Sequence, residues 1–145
     1  MFKYEDQNTE FKQEYVTDIK KEVLGFINSD DGTIYVDIRK DGEVIGINDP
    51  DCTMLKIANS LKDTLVPDVM PFIKINSLTV ENKIIIEIQI STGTNRPYYL
   101  KEKGLKPSGV YIRKETSTQL MSEEAIKEMI IQSNRRSFED CRSIK

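Results

Sequence analysis

Two segments of the chain carry residues that could do chemistry together. Near the start, Glu5 and Glu10 stand five residues apart, and Lys12 closes the run Glu10-Phe11-Lys12. Carboxylates that converge can hold Mg²⁺ or Mn²⁺ and activate water for phosphodiester cleavage. A lysine beside them would stabilise charge developing on a phosphate. Far along the chain, Arg96, Tyr98, Tyr99, Lys101, Lys103, Lys106, Tyr111, Arg113 and Lys114 interleave cations with rings. That mixture suits a ligand with a phosphate backbone and bases to stack.

Each set also has a plainer reading. A spacing of five puts Glu5 and Glu10 on opposite faces of a regular strand, so their convergence requires a bend. Otherwise both are solvated acids, and Lys12 pairs with Glu14 or Asp18. The tyrosines equally suit core packing, with alternate basic residues simply exposed. Tyr111 and Arg113 share a strand face, which favours a joint role. Asn28 and Asp31 follow a helix end and read as turn hydrogen bonders.

Composition narrows the chemistry. The 145 residues contain no histidine. This removes the usual neutral-pH base, the Ser-His and Cys-His pairs and the commonest zinc ligand. Cys52 and Cys141 are the only cysteines and fit reduced thiols in the cytoplasm. No apolar run approaches a membrane span, and the start lacks a signal-peptide pattern. No Gly-rich loop with Lys-Ser/Thr points to ATP hydrolysis. The net charge of −3 divides unevenly: residues 1–95 carry −7 and residues 96–145 carry +4, which marks the second part as the candidate ligand surface.

The elements that must position these residues follow from periodicity. An extended segment over residues 8–16 leads to a helix starting at Thr17-Asp18, with Ile19, Val23, Phe26 and Ile27 on one face and a stop near Asn28-Ser29. Thr33–Ile38 and Glu43–Ile47 read as a hairpin turned at Asp41-Gly42. Met54, Ile57, Ala58, Leu61 and Leu65 form a second helical stripe. Phe72–Val80 and Lys83–Ile90 form a second hairpin, turned at Glu81-Asn82. Tyr98–Leu100 and Gly109–Lys114 read as a short strand pair around a lysine-rich turn, and Ser122 caps a last helix buried through Ile126, Met129 and Ile130. The order predicts one α+β domain with a mainly antiparallel sheet built from hairpins and helices on one face. It spans residues 1–134, with 135–145 as a polar tail that begins a linker to a further region.

Taken together, the motifs resemble the Schlafen-AlbA family. They are Glu10-Phe11-Lys12, Phe26 to Val36, Asp41 to Ile47, Arg96-Pro97-Tyr98-Tyr99 and Tyr111-Ile112-Arg113. The resemblance implies a nucleic-acid-binding module, labelled DNA-binding in bacterial members, at the N-terminus of a transcriptional regulator or helicase-like protein. Arg96, Tyr98, Lys101, Lys103, Lys106, Tyr111, Arg113 and Lys114 would then make the interface. The alternative it implies is a metal-dependent endoribonuclease with Glu5, Glu10 and Lys12 matching the family's positions. The third acid falls in Asp37-Ile38-Arg39-Lys40-Asp41, where Arg39 and Lys40 stand in place of acids and Asp37 or Asp41 would substitute. Animal members act in pairs, so a homodimer is a further expectation. A third reading is a dimerisation domain without nucleic-acid function, its tyrosines and basic run buried in an interface.

Overall fold

The computed structural model describes residues 5–13 and 19–143, with side chains described through residue 134. The expected helix start at Thr17-Asp18, and Glu14 as a partner of Lys12, lie outside the described residues.

Strand β1 (Thr9–Lys12) leads towards helix α1 (Ile19–Ile27), which buries Ile19, Val23, Phe26 and Ile27 as the stripe requires. Strand β2 (Gly32–Val36) follows, then helix α2 (Pro50–Thr64) and the short β3 (Leu65–Val66). Asp49 caps α2 by accepting a hydrogen bond from the Cys52 N–H at 3.2 Å, and Pro50 occupies the first turn. Strands β4 (Ile73–Val80) and β5 (Lys83–Ile90) form the long hairpin. Its two-residue turn holds Glu81 and Asn82 at φ of 52° and 65°, the backbone signs a tight hairpin needs. The chain finishes with β6 (Tyr99–Leu100), β7 (Tyr111–Lys114), β8 (Ser117–Leu120) and α3 (Glu123–Ser143).

The main sheet has the order β1-β2-β5-β4, with β1 parallel to β2 and the other pairs antiparallel. Ile34, Ile86, Ile88 and Ile90 point to one face, where α1 and α2 pack. Phe11, Ile38, Val44 and Ile85 form a smaller core on the other face. There the cover is the loop over residues 37–46. The α+β class with a mainly antiparallel sheet is thus the observed architecture.

Three pairings differ from the expected ones. The segment Glu43–Ile47 is not a strand; only a single bridge, Ile38 to Val44, joins the two arms. Asp37 adopts φ 74°, which turns the chain off the sheet, and β2 pairs instead with β5 through Ile34 opposite Ile88. Ile47 then donates its N–H to Ile84 O at 2.9 Å, extending the β2 side where β2 has stopped. Likewise β6 pairs with β3 and β7 with β8, so the two arms flanking the lysine-rich turn do not pair with each other. The last helix runs through residue 134 to Ser143 without a break.

Candidate nucleic-acid interface

The acidic segment is bent as its chemistry requires. Asp6 and Thr9 exchange backbone hydrogen bonds at 3.2 Å, and this turn brings Glu5 back beside β1. Glu5 Oε1 accepts a hydrogen bond from the Phe11 N–H at 3.0 Å. Lys40 comes from the loop of residues 37–46 and places its Nζ 2.9 Å from Glu5 Oε1 and 3.1 Å from Glu10 Oε2. The two acids therefore converge, and an ammonium group already joins them.

Glu10 has a second set of partners. Arg113 Nη1 lies 2.6 Å from Glu10 Oε1 and 3.1 Å from Glu22 Oε2, and Lys12 Nζ lies 3.8 Å and 3.7 Å from the same two acids. Arg113 Nη2 donates to the carbonyls of Asp6 and Thr9 at 2.9 and 3.2 Å, and its guanidinium carbon lies 4.7 Å from the centre of the Phe26 ring. Burial alone would raise the Glu10 carboxyl, but hydrogen bonds from Arg113 and Lys40 hold it below the usual range. Glu22 goes the other way: burial, then the charge of Glu10, push it up despite a hydrogen bond from Thr118 and the charges of Lys12 and Arg113. Burial would lower Lys40, but Glu5 and Glu10 outweigh it and raise its pKa.

The expected third acid does not join this cluster. Asp37 is buried at the chain reversal, and Asp41 is exposed and accepts a hydrogen bond from the Glu43 N–H at 2.9 Å. Among the described residues, no three His, Cys, Asp or Glu side chains come together as a metal site. The carboxylates of Glu5 and Glu10 face cations of the chain itself. Lys40, in place of an acid, points at the pair.

The basic run divides into buried and exposed members. Arg113 is 7% exposed and Tyr98 is 1% exposed, so neither presents a surface to a ligand. Tyr98 packs its ring edge-on to Phe72, with centroids 6.0 Å apart, and its hydroxyl accepts from the Asn95 N–H at 3.1 Å. Its stacking role is replaced by core packing. Arg96 Nη1 donates to Asn28 O at 3.2 Å. Tyr111 is half-buried, with Lys21 Nζ 5.9 Å from its ring centre. Lys101, Lys103, Lys106 and Lys114 are exposed and form no ion pair among the described residues.

The turn carrying three of these lysines is closed by its own backbone. Lys103 and Gly104 both donate to Leu100 O, at 3.1 and 2.9 Å, and Gly109 donates to Lys106 O at 2.8 Å. A Cβ on Gly109 would meet Gly104 O at 2.4 Å, so only glycine lets the two limbs approach this closely. Lys101 also lines a cleft of about 400 Å³ with Lys20 of α1, Asp63, Thr64, Leu100 and Glu102.

Asn28 fixes this region to the main sheet's helices. Its Nδ2 donates to the carbonyls of Tyr98 and Tyr111, both at 2.9 Å, and its Oδ1 accepts from the Tyr98 N–H at 2.7 Å. The turn role expected for Asn28 is a long-range one, linking segments 70 and 83 residues away. Asp31 behaves similarly, accepting from Thr92 N and Oγ1 at 2.7 and 3.0 Å. Glu22 escaped the sequence reading. Its signal was a charged residue on the apolar stripe, between Ile19 and Phe26.

The sequence matches the family described as Schlafen, AlbA_2 over residues 5–122. The chain belongs to that family. No curated protein matches it. Among solved structures, the DIP2311 protein of Corynebacterium diphtheriae is similar with a TM-score of 0.63 and 12% identity, over 85% of this chain and 23% of that one. The N-terminal domain of a protein from Nitrosomonas europaea, described as related to the ATP-dependent DNA helicase RecG, is similar with a TM-score of 0.59 and 21% identity. That match covers 79% of this chain and 84% of that domain. At these identities the likeness is one of fold. This Schlafen, AlbA_2 chain spans about a quarter of the length of the first neighbour.

Proposed function

We propose that this domain binds nucleic acid through phosphate contacts, as the binding module of a cytoplasmic bacterial regulator or helicase-like protein. The observation that carries the reading is the closed turn bearing Lys101, Lys103 and Lys106, exposed and without ion pairs among the described residues. Lys20 lies across the cleft beside Lys101 and pairs with Glu102 of the turn at 4.0 Å, and Lys114 is a further exposed cation of the run on β7. Long cations on a rigid frame neutralise phosphates without reading bases, and they release counterions on binding. The family membership and the helicase-related neighbour point the same way. Arg113 and Tyr98 serve here as frame, and Tyr99 and Tyr111 are the half-buried rings of the run.

The convergence of Glu5 and Glu10 supports a second reading, a metal-dependent nuclease with Lys12 beside the acids. It requires Mg²⁺ or Mn²⁺ to displace the Lys40 ammonium and Asp37 or another acid to complete the site. One experiment separates the two. Labelled duplex DNA and hairpin RNA are titrated with the domain, with and without Mn²⁺, and the recovered nucleic acid is run on a gel. Binding that weakens with salt and leaves the ligand intact supports the binding module. Mn²⁺-dependent cutting lost in Glu10→Gln would establish the nuclease. Failure to bind at low salt would sink both.

A further inference from the structure

The free edge of the main sheet is β4, and its hydrogen-bonding phase can be read from the hairpin. The tight turn makes Val80 and Lys83 a hydrogen-bonded pair, and at the other end Ser91 N–H donates to Phe72 O at 2.9 Å. With the register between them fixed, Lys74, Asn76, Leu78 and Val80 bond to β5. The backbone N–H and C=O groups of Ile73, Ile75, Ser77 and Thr79 therefore point away from the sheet. The Ile73 N–H turns back to Met70 O to close the preceding helical turn, and among the described residues the other outward groups have no backbone hydrogen-bond partner.

This edge lacks most of the usual protection. It is eight residues long, holds no proline or bulge, and carries Lys74 as its single charge. It is also complementary to itself. In an antiparallel pairing with Asn76 on the two-fold axis, Ile75 bonds opposite Ser77 of the second copy, and the Ile73 C=O, whose own N–H is held by Met70 O, accepts from the Thr79 N–H. Lys74 then faces Leu78, so like charges never oppose. The β-branched Ile73 and Ile75, already packed against the helix-side core, extend that core across the junction. About six backbone hydrogen bonds would form.

We infer that β4 is a self-association edge, and that two copies of this chain join their sheets through it in this register. The surface is distinct from the lysine-rich turn, so the two copies keep their candidate phosphate contacts open.

The test is the oligomeric state, followed by sedimentation from about 1 to 200 μM, with two probes of register. Ser77→Pro removes an outward N–H without breaking a bond to β5, and edge strands accept proline at such a position. Asn76→Lys places two ammonium groups opposite each other on the axis. The wild type is expected to sediment as a dimer in the upper range, and both variants as monomers with the helical circular dichroism of the wild type. As a positive probe, Asn76→Cys in a Cys52→Ser, Cys141→Ser background should cross-link under oxidation, because directly opposed non-hydrogen-bonded positions approach to about 4.5 Å. Thr79→Cys in the same background should not. A wild type that stays monomeric at 200 μM overturns the inference. So does a dimer that persists in folded Asn76→Lys, or equal cross-linking at both cysteines.

Discussion

Arg113 and Glu10 meet at 2.6 Å across 103 residues of sequence, both buried, and the contact ties β7 to β1. Lys12, Glu22 and Lys40 complete a network in which acids from β1 and α1 are held by cations from three segments. The arginine that the sequence offers as a ligand contact is thus part of the frame.

Replacing Arg113 by Met should act on stability first. It leaves the buried Glu10 and the half-buried Glu22 with one strong partner fewer, a change that costs about 3–5 kcal/mol where the pair is fully buried. Denaturant unfolding should show this loss. Under conditions where the variant stays folded, its phosphate affinity should change far less than that of a lysine-turn variant. An Arg113→Met protein of wild-type stability would contradict the account.

Asn28 makes an equally specific demand. Asn28→Asp keeps the acceptor for the Tyr98 N–H but loses the donor that satisfies two carbonyls and places a carboxylate beside them. Each buried group left unsatisfied costs about 1–3 kcal/mol. The melting temperature should fall more for Asn28→Asp than for Asn28→Ala. The reverse order would show that the amide does not carry these bonds.

The opposed shifts of Glu10 and Glu22 give a pH signature. The folded state lowers Glu10, so its contribution is present above the ordinary value of 4.5 and is lost as pH falls through the lowered one. It raises Glu22, so that contribution is present below 4.5 and is lost as pH rises through the raised value. Glu22→Gln removes the second effect and leaves the first. Its melting temperature relative to wild type should therefore climb between pH 4.5 and 7. A gap that is flat or closes over this window would refute the assignment.

Much of the frame was legible because it repeats with a period. The stripe Ile19, Val23, Phe26 and Ile27 and the alternation of Ile86, Ile88 and Ile90 each place their residues in the helix-side core. Strand partners were less legible where sequence neighbours do not pair. A positive φ at Asp37 breaks the expected first hairpin, and β5 competes for β2. Site residues divided by environment rather than type. Arg113 and Lys103 are both cations in a basic run, but one lies on a strand facing Glu10 and the other in a glycine-closed turn. In the sequence Lys40 is only a departure from an acidic pattern, because its position between Glu5 and Glu10 depends on the turn at Asp6 to Thr9.

The central claim is that the lysine turn contacts phosphates. It is tested most directly by the salt dependence of duplex and hairpin binding in wild type and in Lys101→Ala, Lys103→Ala, Lys106→Ala. Each lost phosphate contact lowers the slope of log K against log salt by about 0.9 on duplex DNA, so the triple variant should lose up to about 2.7. Its melting temperature should stay near that of the wild type, because all three side chains are exposed. An unchanged slope in a folded triple variant would place the phosphate contacts elsewhere and contradict the account.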